Sequence, residues 1–121
     1  MKTTIRLFLI SVTCLCASLT EREAEAVNPP PDGGYADFNT AEGQDALFSL
    51  TTGIANTAVG WSSLNSNTDG SLNTAIGAGT LLLNVGNQST GEGTGNTAVG
   101  AAAIFSNVTG ARNTASGAFA L

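Results

Sequence analysis

Asn56-Thr57-Ala58-Val59-Gly60 is followed seventeen residues on by Asn73-Thr74-Ala75-Ile76-Gly77, and the pentad opens again at Asn96 and at Asn113. An earlier copy starts at Asn39, so Asn-Thr-Ala-x-Gly occurs five times, at intervals of 17, 17, 23 and 17 residues. Positions downstream keep the same step. Four residues past each pentad glycine stands Leu47, Leu64, Leu81, Ile104 or Leu121, preceded by Ala46, Ser63, Thr80, Ala103 or Ala120. A further glycine, Gly53, Gly70, Gly93 or Gly110, comes three residues before the next pentad. The long third unit carries six extra residues near 86–91, all glycine or polar, the composition of a surface turn. Self-similarity at a fixed period of this size marks a stacked repeat architecture.

A helical repeat needs about ten or more good helix formers in a row, and glycine interrupts these units every few residues. Each unit instead offers two short extended pieces, around Asn-Thr-Ala-Val and around Ala-Leu-Phe-Ser, separated by glycines where positive φ costs little. Seventeen residues suit one coil of a narrow parallel β-solenoid, or β-roll, with coils stacked at about 4.8 Å. The expected fold is therefore all-β, with units starting at residues 39, 56, 73, 96 and 113, the last of them truncated. Stacking aligns Leu47, Leu64, Leu81, Ile104 and Leu121 into one inner ladder. It aligns Asn39, Asn56, Asn73, Asn96 and Asn113 into a second, whose amides bond from coil to coil. The pentad alanines fit a lumen too tight for larger groups.

Two more columns differ in character. The fourth pentad position reads Glu42, Val59, Ile76, Val99 and Ser116, apolar in the middle and polar at both ends. Another column reads Phe48, Asn65, Leu82 and Phe105. Neighbours along a strand face opposite ways, so Leu47 and Phe48, or Ile104 and Phe105, do not both point inward. A single exposed apolar side chain is ordinary, but recurrence in coil after coil favours a subunit interface, along Val59, Ile76 and Val99 or along Phe48, Leu82 and Phe105. One dependable large apolar residue per coil offsets little of the entropy lost on ordering seventeen residues. Association with further copies supplies the missing burial.

The flanks place the repeat in context. Lys2 and Arg6 precede an apolar run over residues 7–19, and Ala24-Glu25-Ala26 gives a small-x-small cleavage site. This is the layout of a secretory signal peptide, over residues 1–26, and the run is shorter than the roughly 20 residues of a membrane span. The mature part is expected to be secreted or held at the cell surface, without inserting into a membrane. Cys14 and Cys16 lie within the apolar run, which leaves the mature part no cysteine, disulfide or thiolate metal site. Residues 27–38, with Pro29-Pro30-Pro31-Asp32-Gly33-Gly34, read as an extended leader or a cap on the first coil, with Tyr35 and Phe38 placed to plug its open end.

Composition argues against catalysis. Past residue 26 there is no histidine, lysine or cysteine, so the many serines and threonines lack a base to activate them. Arg112 stands alone against Asp32, Asp37, Glu42, Asp45, Asp69 and Glu92, a balance that disfavours nucleic acid and anionic lipid. Asp32-Gly33-Gly34 and Asp69-Gly70 are turn dipeptides, far from the density of a calcium-binding repeat. Gly91-Glu92-Gly93-Thr94-Gly95 lacks the lysine and helix of a phosphate loop. No catalytic, cofactor or metal residue is expected.

Asn-Thr-Ala-x-Gly-x-x-Ala-Leu, followed by a segment such as Ser106-Asn107-Val108-Thr109-Gly110, resembles the head repeats of trimeric autotransporter adhesins, the YadA-like head. The chain is still more similar to long bacterial exported proteins that carry many such pentads behind a Pro-Pro-Asp-Gly-Gly leader. The resemblance covers residues 28–121. It implies a left-handed β-roll, three chains packed side by side, a place at the bacterial surface, and adhesion to an extracellular-matrix or surface ligand. The unit here is longer than the adhesin repeat, and Thr-Ala replaces its Ser-Val-Ala. An alternative expectation is a monomeric solenoid that binds a repetitive ligand, glycan or ice, through Thr40, Thr57, Thr74, Thr97 and Thr114. The stop at Leu121 in mid-unit also suits a non-functional fragment of a longer repeat protein.

Overall fold

Threonine and the branched aliphatic residues are strand formers, and each pentad supplies one three-residue strand. The computed structural model describes residues 35–121. The expected signal peptide, residues 1–26, and the expected leader up to residue 34 lie outside the described residues. The strands are β1 Thr40–Glu42, β2 Thr57–Val59, β3 Thr74–Ile76, β4 Thr97–Val99 and β5 Thr114–Ser116. They form one parallel sheet in the order β1-β2-β3-β4-β5. The register sets threonine on threonine and alanine on alanine, from Thr40 opposite Thr57 to Val99 opposite Ser116. The chain is thus a parallel β-solenoid of about five turns, and the longer third unit keeps register by projecting its extra residues sideways.

The expected second extended piece is absent. The segment after each pentad glycine is a tight corner in which φ is +50° at Leu47, +51° at Leu64 and Leu81, and +46° at Ile104. The residue two before is left-handed too, at Asp45, Ser62, Gly79 and Ala102. Side chains other than glycine, asparagine and aspartate avoid this region at a cost of roughly 1–3 kcal/mol each. Stacking holds them there: Leu47 N–H donates to Ser63 O at 3.0 Å, Leu64 N–H to Thr80 O at 3.0 Å and Leu81 N–H to Ala103 O at 3.0 Å. The corner also drives the leucine inward, so Leu64 and Leu81 are fully buried beside Ala58, Ala75 and Ala98. Leu121 departs from the expected ladder. It is 81% exposed, and among the described residues the buried file ends at Ile104.

Glycine is required where the coil leaves the strand. Gly43, Gly60, Gly77 and Gly100 have φ between +123° and +131°, and a Cβ on Gly60 would sit 2.6 Å from the carbonyl carbon and oxygen of Gly77. At the first coil, Tyr35 bridges Asn39, and a one-turn 3-10 segment, Ala36–Phe38, joins them. Tyr35 packs against the core, whereas Phe38 is 90% exposed and plugs nothing. The kink at Asp37 and Phe38, both at positive φ, turns that ring outward.

Candidate functional site

Each strand shows a buried alanine between two outward side chains. Successive residues of a strand point to opposite faces, so the threonine and the fourth pentad residue share the outer face. The result is a two-file surface. One file is Thr40, Thr57, Thr74, Thr97 and Thr114; the other is Glu42, Val59, Ile76, Val99 and Ser116. Rows are about 4.8 Å apart, and the files about 6.6 Å apart along the strand. Val59, Ile76 and Val99 are 36%, 41% and 40% exposed in adjoining rows. None of the five threonine hydroxyls forms a side-chain hydrogen bond among the described residues. Among the described residues Glu42 is the only charged member of these two files.

The other expected column is less continuous. Phe48 and Phe105 are exposed, but the polar Asn65 separates Phe48 from the rest and spends its amide on Asp45 O at 3.1 Å. Leu82 and Phe105 come together over the turn at Gly79, where an added Cβ would lie 3.9 Å from Leu82 Cδ1 and from Phe105 Cε2. The structure therefore brings Val59, Ile76 and Val99 into one unbroken stripe, and splits Phe48 from Leu82 and Phe105. Trp61, half-exposed just past Gly60, was not singled out from sequence: its counterparts Gln44, Ala78, Ala101 and Ala118 give no periodic signal.

Behind this face, asparagine amides fix the coil spacing. The Oδ1 of Asn56 accepts from the backbone N–H of Asn73 at 3.0 Å and from its Nδ2 at 3.1 Å, while Asn56 Nδ2 donates to Asn39 Oδ1 at 3.2 Å and to Gly70 O at 2.9 Å. The same set recurs at Asn73 and at Asn96. A second file was missed from sequence. Asn84 Nδ2 donates to Asn67 Oδ1 at 2.8 Å and Asn107 Nδ2 to Asn84 Oδ1 at 2.7 Å. Asn67 and Asn107 stand three residues before Gly70 and Gly110, a spacing that would have revealed the file had the insertion not moved Gly93 away from Asn84.

Asp69 accepts from Thr51 Oγ1 at 2.7 Å and Thr52 Oγ1 at 2.9 Å, tying one coil to the next. Among the described residues no group of three or more His, Cys, Asp or Glu is placed to hold a metal ion, and no helix is long and apolar enough to cross a membrane. A cavity of about 250 Å³ opens at the first coil between Tyr35, Asp37, Leu47 and Leu50, but the Asn39 amide on its wall already donates to Ala36 O and Gly53 O. No family model, no curated protein and no solved structure matches the chain.

Proposed function

We propose that this chain is an exported, non-catalytic module of a bacterial cell surface that self-associates through its strand face and serves adhesion or display. The observation that carries the reading is the unbroken stripe of Val59, Ile76 and Val99, set in register beside five unbonded threonine hydroxyls on an almost uncharged face. Contiguous exposed apolar surface on a regular scaffold marks an interaction site, and a stripe repeated in register allows parallel copies to meet rung on rung. The resemblance to adhesin heads sets the expected number of copies at three.

The test is the molar mass of the protein recovered from the medium of an expressing bacterium, by light scattering after gel filtration, with its N-terminal sequence. The expected outcome is a β-rich trimer that begins at Val27. A stable monomer would sink the association reading. It would favour the second one, supported by the same geometry: a solitary solenoid that binds a repetitive glycan or ice through the threonine file and the aliphatic file alongside it. A chain retained in the cytoplasm would remove the surface role.

A further inference from the structure

We infer that Glu42 makes the association proton-sensitive: copies packed side by side in register through the strand face bring their Glu42 carboxylates into one rung, and the assembly tightens when that rung is protonated. The inference rests on the association reading above.

Register is the starting point. Glu42 is paired with Val59 in the sheet, so it is the first member of the file that continues as Val59, Ile76, Val99 and Ser116. Rungs are about 4.8 Å apart. A contact that buries Val59 therefore brings Glu42 to its edge, and parallel, in-register copies meet there carboxylate to carboxylate. Like charges forced together where water is displaced disfavour ionisation, and an unpaired buried charge is costly.

No group nearby relieves this. Among the described residues Glu42 has neither an ion pair nor a side-chain hydrogen bond. The facing position of β2 holds Val59, which does not titrate. The charged groups around the first strand are Asp37 just before it and Asp45 beyond the Gly43 corner, both acidic. Arg112, the one basic residue described, directly precedes the fifth pentad and stands about four coils away. At roughly 4.8 Å per coil that is about 19 Å, beyond the Debye length of about 8 Å at physiological salt. The opposite end of the file is the neutral Ser116, so the repulsion acts at one end only.

Two properties of the face make the first rung decisive rather than incidental. The stripe is short, three aliphatic rows, so one unfavourable row is a large fraction of the contact. The threonine file is uniform and contributes the same to every rung, leaving Glu42 as the single row that changes with pH. A reversed packing of two copies would set Glu42 against Ser116 and Val59 against Val99, and would show no such response.

The experiment is sedimentation equilibrium of the exported chain at about pH 7.5 and about pH 5, the latter still above the isoelectric point of about 4.2 of the full sequence. Wild type, Glu42→Gln and Asp45→Asn are compared, with circular dichroism on each sample to confirm the fold. Wild type is expected to associate at least about tenfold more tightly at the lower pH. Glu42→Gln should associate at both pH values as tightly as acidified wild type, and Asp45→Asn should keep the wild-type response. Glu42→Val, which places the next rung's residue in the first, is the second variant and should behave like Glu42→Gln. Equal association of wild type at both pH values, or a wild-type response retained by Glu42→Gln and Glu42→Val, overturns the inference and leaves the association reading standing. If no sample associates at either pH, the association reading fails and takes this inference with it.

Discussion

The asparagine side chains carry an unusual share of the internal bonding. Asn56, Asn67, Asn73, Asn84 and Asn96 are wholly buried, a placement that costs several kcal/mol for an amide left without partners. Here Asn56, Asn73 and Asn96 each use donor and acceptor between coils, an arrangement that depends on the repeat. Asn73→Ala would take the acceptor from both the backbone N–H and the Nδ2 of Asn96, and would remove one of the two amide donors on Gly93 O, the other being Asn84 Nδ2. Each lost partner costs about 1–3 kcal/mol. Urea unfolding of Asn73→Ala should therefore show a loss of about 3 kcal/mol or more. Asn113→Ala, in a half-buried rung where the Asn113 Oδ1 accepts no bond among the described residues, should lose about 1 kcal/mol. Equal losses at the two sites would show that the file is not what holds the coils together.

At the scale of elements, the strands were legible in the sequence and the corners were not. Thr-Ala-x alternation beside glycine announces a strand with an inward alanine, and Thr57–Val59 and Thr97–Val99 follow that reading residue for residue. The Ala-Leu-Phe-Ser piece looks equally extended by composition, yet Leu47 and Ile104 sit at positive φ. Local preference speaks against that conformation, and only bonds to the neighbouring coil impose it. Both recurring outer columns were legible as periodicity, with Asn65 already visible inside the aromatic one; the geometry adds that Leu82 and Phe105 meet over Gly79. The inserted loop illustrates the reverse case, in which an element adds little to the fold. Asn87 N–H donates to Glu92 O at 2.9 Å, closing a turn, and Gln88 Nε2 reaches back to Thr52 O at 2.7 Å. An added Cβ on Gly93 would reach the Cα of Gly86 at 2.5 Å, so the two ends of the turn already touch. Deleting residues 87–92 restores a 17-residue unit. It should change the melting temperature by only a few degrees, because an exposed loop and its surface bonds are worth within about 1 kcal/mol. A collapse of the fold would show that the loop straps the coils together.

For the molecule as a whole, stability and association are assigned to different faces of the same coils. Leu81 points into the lumen and is fully buried, whereas Ile76, five residues earlier, is 41% exposed on the strand face. Leu81→Ala should cost about 2–5 kcal/mol of folding stability. Ile76→Lys should leave the thermal transition of the single chain nearly unchanged and, in the proposed trimer, abolish association, because that assembly would bring three like charges into the central rung. Light scattering and calorimetry on the two variants separate these effects, and a destabilised, still-associated Ile76→Lys would contradict the assignment. The asparagine files give the stack a property that its sheet lacks. Backbone bonds between coils run both ways, with Thr57 donating forward to Asn73 O and Gly60 donating back to Glu42 O, so their dipoles largely cancel. The side-chain amide bonds between coils all run one way, later coil to earlier, with every Oδ1 turned toward the coil still to come. A finished coil is thus a primed template whose acceptors are in place before the next segment arrives. A chain that emerges N-terminus first can be laid down turn upon turn, in the order of its own synthesis, without reopening a bond already made.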